Sequence, residues 1–169
     1  MGAPAEVILL RHAEKTSNHR DRDLSERGQQ RARALVSFLT AKPVLLTNGL
    51  PVALFAPLVS PRGHGRRPLD TLTPLANRLG LSIQTPVRAA QHADLARRIL
   101  ADPALDGKTV VICWVHHDLP ALARELGVRH ARVRWKASVY DRVWLITYHG
   151  SHATLTSLPQ HLLPGDSRH

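Results

Sequence analysis

The sequence predicts an α/β protein, a three-layer α/β/α arrangement around a mostly parallel central sheet. Three observations predict it. Short apolar runs alternate with helically periodic segments from residue 5 to residue 127, the order that strand–helix–strand crossovers produce. Two of those runs, 7–10 and 109–114, are short and uncharged, as strands covered on both faces are. No repeat, linker or composition break divides the 169 residues, so one domain over 1–169 is expected.

The elements follow in order. Residues 5–10 read as the first strand. Ser25 is placed to cap a helix whose apolar positions Ala32, Leu35, Val36 and Leu39 share one face. Lys42-Pro43 ends it. Residues 51–56 form a second strand, and the Gly- and Pro-bearing stretch 60–68 a loop. A helix over 70–79 stops at Gly80. Residues 81–84 give a brief strand and 91–100 a helix with Leu95, Ala96 and Ile99 inward. After the Asp106-Gly107 turn comes the strongest strand, 109–114. A helix over 120–126 has Pro120 in its first turn and Gly127 at its end. Residues 143–148 and 153–157 read as a hairpin. Residues 162–169 are polar and bear Pro and Gly, so a frayed tail is expected.

Composition narrows the class. Apolar residues make up 43%, ordinary for a globular protein. No stretch approaches the roughly 20 apolar residues that span a bilayer. Residues 1–6 carry no basic segment, and the run 7–10 is too short for a secretory core. A cytoplasmic protein without membrane attachment is therefore expected. The single cysteine, Cys113, forms no intrachain disulfide and reads as a buried core residue. Lys and Arg number 23 against 13 Asp and Glu, a net charge of +10. Such a field favours anionic partners. No nucleic-acid motif is present, so a phosphorylated small molecule or phosphoprotein is the expected partner. The eleven His lack zinc-site spacing, and neither metal nor cofactor is expected. Oligomeric state has no signature in the sequence. Trp114, Trp135 and Trp144 read as packing residues.

The chemistry is concentrated where the first strand ends. Arg11-His12-Ala13-Glu14 directly follows 7–10. In open α/β folds, ligands bind beyond the carboxyl ends of strands. A guanidinium grips phosphate through a fork of donors, and a neutral imidazole attacks phosphorus. Asn18 stands seven residues after Arg11, and Leu24-Ser25-x-x-Gly28 follows. This R-H-x-E-x-x-x-N … L-S-x-x-G pattern resembles the histidine phosphatase superfamily, the group that includes the cofactor-dependent phosphoglycerate mutases. Arg67-x-x-x-Thr71 before Pro74-Leu75-Ala76 is similar to the family's second arginine and following helix. Residues 110–116 are similar to its late strand and second histidine. The likeness covers about residues 5–148.

The resemblance implies a phosphoglycerate mutase-like fold and a metal-independent phosphatase of the histidine acid phosphatase type. His12 would be the nucleophile, carrying a phosphohistidine. Arg11, Arg67 and His116 would hold the nonbridging oxygens, and Asn18 would donate one neutral hydrogen bond. Glu14 would orient an arginine, because like charges keep it off the phosphate. Arg66 stays open as the alternative to Arg67. A proline four residues after the active histidine selects His116 through Pro120, while His117-Asp118 imitates the His-Asp motif of the superfamily's other branch. Gly63-His64-Gly65 reads as a flexible loop.

One departure stands out. Mutase-type members place a glutamic acid between the second arginine and second histidine to protonate the leaving oxygen. Here no glutamate lies between Thr71 and His116. Asp102 and Asp106 sit in turns, which leaves Asp94 as the candidate acid, with a helix N-terminal carboxylate as its competing reading. Asp118 and protonated His92 are the other options. A missing acid favours good leaving groups, such as phosphohistidine and other phosphoramidates. The short chain also lacks room for insertions that enclose a sugar acid. A phosphatase is therefore expected over a mutase-type phosphoryl transferase or a non-catalytic phosphate-binding protein. Specificity is expected from loops at 43–66, 85–92 and 128–140.

Overall fold

The computed structural model describes residues 2–129 and 134–169. The expected specificity loop 128–140 thus lies partly outside the described residues. Six strands form one sheet: β1 (Glu6–Arg11), β2 (Pro51–Phe55), β3 (Ile83–Gln84), β4 (Thr109–Trp114), β5 (Arg142–His149) and β6 (His152–Pro159). Their order is β3-β2-β4-β1-β5-β6. The pairs β1–β4, β2–β4 and β2–β3 are parallel, and the β5–β6 hairpin adds antiparallel to β1. Among the described residues four α-helices cover the sheet: α1 (Glu26–Ala41), α2 (Arg66–Leu79), α3 (His92–Ala101) and α4 (Leu119–Glu125).

Side-chain alternation along β1 and β4 feeds two cores at once. Val7, Leu9, Val110, Ile112 and Trp114 pack with Leu95 and Ile99 of α3 and Leu122 of α4. Ile8, Leu10, Val111 and Cys113 face the other way, onto Leu35 and Leu39 of α1 and Leu72 and Leu75 of α2. All six residues of each strand are buried, which explains why both read as continuous runs. Trp114 and Trp144 lie in the core as expected, and Trp135 packs against Trp144 at a centroid distance of 4.9 Å. Among the described residues no helix is long and apolar enough to cross a membrane.

Two segments differ from expectation. Helix α2 begins at Arg66 rather than residue 70. Pro68 sits in its first turn, where amide donors have no intrahelical partner to lose, so the proline belongs to the helix and not to the preceding loop. Residues 162–169 are tied down rather than frayed. Asp166 pairs with buried Arg31 at 2.8 Å, and the Ser167 amide donates to Asp141 at 2.6 Å.

The register places the site. Arg11 stands opposite Trp114, so the chain leaves both central strands at the same edge of the sheet. His12 and the 3-10 turn His116–Asp118 emerge there side by side.

Candidate active site

Arg11 is the last residue of β1 and only 4% exposed. Its guanidinium donates to the carbonyls of Ala137 at 2.6 Å and Val139 at 3.4 Å. It stacks 3.9 Å from the centroid of the Tyr140 ring. Nε is buried and unpartnered among the described residues. Burial lowers its pKa and Arg67 adds to the effect, partly offset by Tyr140, Cys113 and Glu14; a guanidinium still stays charged. The result is a rigid, buried cation that no carboxylate neutralises among the described residues.

His12 follows, 7% exposed. Its Nδ1 lies 2.7 Å from the Ala13 carbonyl. A carbonyl only accepts, so this contact puts the proton on Nδ1 and the lone pair on Nε2. Nε2 in turn lies 3.4 Å from Arg11 Nη2. Burial drives the imidazole pKa down to about 3, helped by Arg11, Arg67 and His116 and opposed by the Ala13 carbonyl. The ring is therefore neutral, with its lone pair turned toward a cation.

The turn after His12 is built from both helices of one layer. Thr71 on α2 accepts from the Ala13 amide at 2.9 Å and donates to the Arg67 carbonyl at 2.7 Å. One hydroxyl thus links the His12 turn to the turn of helix that bears Arg67. On the other side, the Glu14 carbonyl accepts from the amide and hydroxyl of Ser25, at 2.9 and 3.1 Å. A Cβ on Gly28 would stand 2.2 Å from that same carbonyl oxygen. The L-S-x-x-G pattern thus has a steric reason: the start of α1 presses its backbone against the turn. The Glu14 carboxylate pairs with Arg31 at 2.9 Å and with Arg27 at 3.3 Å.

Arg67 projects toward the same edge, steadied by the carbonyls of Asp21 at 2.6 Å and Asp23 at 3.3 Å. Arg66 pairs with Asp23 and Asp70, each at 3.3 Å. His116 is half-buried, and burial followed by the Arg11 charge lowers its pKa. His117 is outward, with its side chain 71% exposed. Arg11, Arg67 and His116 are all close enough to act electrostatically on His12.

A cleft of about 360 Å3 opens here, lined among others by His12, Arg22, Arg66, Arg67, His117 and Asp118; Arg11 and His116 are not among its lining residues. Asn18 does not line it. Its carbonyl oxygen Oδ1 accepts from the Arg20 amide at 3.0 Å, and the residue faces an adjoining recess that shares Arg22 and Arg67 with the cleft.

Asp94 is a correction. It sits on the first turn of α3 and pairs with Arg97 and, at 3.1 Å, with Arg98. The Arg98 hydrogen bond leads the causes that lower its pKa, the opposite of what an acid needs, and it is absent from the cleft lining. Asp118 is the carboxyl that lines the cleft among the described residues. Sequence reasoning missed Arg22 and Tyr140. Both stand in irregular segments, where no periodicity marks which side chains turn inward.

No protein-family model and no curated protein matches the sequence. Solved structures do match its fold. A mycobacterial glucosyl-3-phosphoglycerate phosphatase, in complex with inorganic phosphate, superposes with a TM-score of 0.52 at 17% identity, over 90% of this chain and 95% of that one. The same phosphatase with VO3 gives 0.58 at 16%, over 92% and 98%. An Agrobacterium tumefaciens protein described as a candidate phosphohistidine phosphatase, SixA, gives 0.57 at 16%, over 92% and 97%. The chain has the fold of these phosphatases, a mostly parallel six-stranded sheet between helical layers.

Proposed function

We propose that this chain is a histidine phosphatase, hydrolysing a phosphomonoester or phosphoramidate through a phosphohistidine on His12. One observation carries the reading. A buried guanidinium, its Nε unpartnered among the described residues, adjoins a buried neutral imidazole that lines the cleft, with Nε2 3.4 Å from the guanidinium. An uncompensated buried cation is costly, and a tetrahedral oxyanion is the counter-charge that fits between Arg11, Arg67 and His116. Likeness of fold to proteins named as phosphatases supports the same reading.

The residues supply each step. Arg11 and Arg67 neutralise the nonbridging oxygens, with His116 as a further donor; phosphoryl transfer asks chiefly for such positioning and charge. The His12 Nε2 lone pair attacks phosphorus in line. An N–P bond forms as the bond to the leaving oxygen or nitrogen breaks. Asp118 hands a proton to the leaving atom. Water then attacks phosphorus, the N–P bond breaks, the electron pair returns to Nε2, and the water proton passes to Asp118. Inorganic phosphate leaves. The substrate is a phosphorylated small molecule or phosphoprotein. Good leaving groups, phosphoramidates included, depend least on the acid.

Incubation with a phosphate-labelled substrate, acid-sparing quench and mass spectrometry test this. An acid-labile +80 Da adduct on wild type, absent from His12→Asn, is expected together with released phosphate. Isomerised product without net phosphate release indicates a mutase. Tight phosphate binding with no adduct indicates a non-catalytic binder. Asp118→Asn is expected to slow alkyl phosphates by about 100-fold while sparing nitrophenyl phosphate.

A further inference from the structure

Arg31 lies in α1, outside the cleft, and is 2% exposed. Every nitrogen of its guanidinium is engaged. Nε and Nη2 donate to Glu14 at 2.9 Å each. Nη1 donates to Gln160 at 2.8 Å and Asp166 at 3.0 Å, and Nη2 reaches Asp166 at 2.8 Å. Three separate parts of the chain therefore meet on one side chain: the turn after His12, the residue beyond β6, and the C-terminal segment.

The connection continues to Arg11. The Gln160 side-chain amide donates to the carbonyls of Tyr140 at 3.2 Å and Arg142 at 2.9 Å. Its backbone amide donates to Asp141 at 2.9 Å. Residues 137–140 are the ones that hold Arg11, through two carbonyls and the Tyr140 ring. These residues form no strand or helix. Their position is set by side-chain bonds, with Gln160 beneath and the Trp135 indole donating to the Val139 carbonyl at 2.8 Å.

We infer that Arg31, Gln160 and Asp166 form a positioning clamp: the C-terminal segment, docked on Arg31, sets the separation between the His12 turn and the Arg11 cradle. This rests on the phosphatase reading above. None of the three residues lines the cleft. Each acts through another: Arg31 through Glu14, two residues past His12, and Gln160 through the Tyr140 carbonyl. The geometry matters because a nucleophile misplaced by about 1 Å can lose roughly 100-fold in rate. Arg11 is held by the carbonyls of Ala137 and Val139 and by the Tyr140 ring, so a shift of that segment carries the guanidinium with it.

Inorganic phosphate binding by titration calorimetry, with kcat and KM for nitrophenyl phosphate, tests the clamp in the full chain. Gln160→Leu breaks the link to residues 137–142 without touching charge. Asp166→Asn keeps shape and removes the tail's charge. Both are expected to weaken phosphate binding by about 10-fold and to lower kcat as well as kcat/KM, with urea titration showing the protein folded under assay conditions. Thr109→Val is the stability control. Thr109 is fully buried and donates to Glu6 at 2.8 Å, at the opposite end of β1 from Arg11. It is expected to lower stability yet keep phosphate affinity within about twofold. The clamp is refuted if both variants bind phosphate as wild type does, or if Thr109→Val loses affinity equally. Should Gln160→Leu fail to fold, Asp166→Asn alone decides. Wild type that neither binds phosphate nor forms the adduct overturns the phosphatase reading instead.

Discussion

Arg11 and Arg31 are both buried guanidiniums, and their surroundings differ completely. Arg31 is saturated by two carboxylates and an amide oxygen. Burial alone would lower its pKa, but Asp166 and Glu14 more than reverse that and hold it above the ordinary value. Arg11 receives two backbone carbonyls and an aromatic face, keeps Nε unpartnered among the described residues, and has its pKa lowered. Desolvating a charge costs several kcal/mol unless partners compensate. Arg31 recovers that cost within the fold. On the phosphatase reading, Arg11 recovers it when an anion arrives, and the contrast separates a cation kept for structure from one kept for binding.

Replacing each arginine by methionine tests the contrast most severely. Arg11→Met is expected to abolish turnover, by about 1,000-fold or more. Its stability toward urea should stay within about 1 kcal/mol of wild type or rise, because an uncompensated buried charge is removed. Arg31→Met is expected to do the reverse in kind. It takes from Glu14 and Asp166 their buried cation and leaves them the half-exposed Arg27, at 3.3 and 3.5 Å, a loss of about 3 kcal/mol. Turnover per folded molecule should fall far less than in Arg11→Met. If urea titration finds Arg11→Met the less stable of the two, the division between binding and structural arginines is wrong.

Acid sharpens the same comparison. Unfolded His12 takes its proton near pH 6.5, whereas the folded residue resists until about 3. Between those values the unfolded chain holds the extra proton. Stability is therefore complete above pH 6.5 and is lost as the pH falls toward 3, by on the order of a few kcal/mol. Asp166 works in a lower window. Burial opposes its ionisation, but Arg31 and the amides of Leu162 and Leu163 hold its pKa down to about 2 against an ordinary 3.8. Its contribution is present above pH 3.8 and is lost as the pH drops through about 2. Urea midpoints measured against pH should show a shallower slope from 6.5 to 4 in His12→Asn. Asp166→Asn should alter the slope only below 4. Turnover should persist at mildly acidic pH, since the nucleophile is still neutral there. A wild-type slope retained in His12→Asn contradicts burial of a neutral imidazole.

The sequence discloses the two regions unequally. β1 and β4 are legible because burial on both faces writes an uninterrupted apolar run. The Ser25 cap is legible because its side chain accepts from Gly28 within its own turn. The hairpin and the position of Arg11 at a strand end follow from the same local rules. The clamp is not legible. Gln160 and Asp166 sit in polar, irregular sequence, and their burial depends on Arg31, more than 100 residues away. Tyr140 beneath Arg11 is hidden for the same reason: stacking across |i−j| of well over 100 leaves no periodic trace. The choice of Arg67 over Arg66 rests on its spacing to Thr71, whose hydroxyl donates to the Arg67 carbonyl; both arginines line the cleft. The start of helix α2 is not legible, because Pro68 resembles a breaker when its place in the first turn is unknown.

Asp94 gives the smallest predicted effect, and an instructive one. Among the acids between Thr71 and His116 it is the one on a helix and not in a turn, which makes it the sequence's candidate for proton transfer. The local signal against it was already present. Arg97 and Arg98 stand three and four residues later, the spacing at which helical side chains meet. An exposed pair of that kind contributes at most about 0.5 kcal/mol. Asp94→Asn should therefore change stability by no more than about 0.5 kcal/mol and leave turnover on alkyl and nitrophenyl phosphates alike unchanged. A selective loss on alkyl phosphates would return the acid role to Asp94. It would also mean that α3 approaches the cleft during turnover, because in this structure its first-turn carboxylate is held by its own helix.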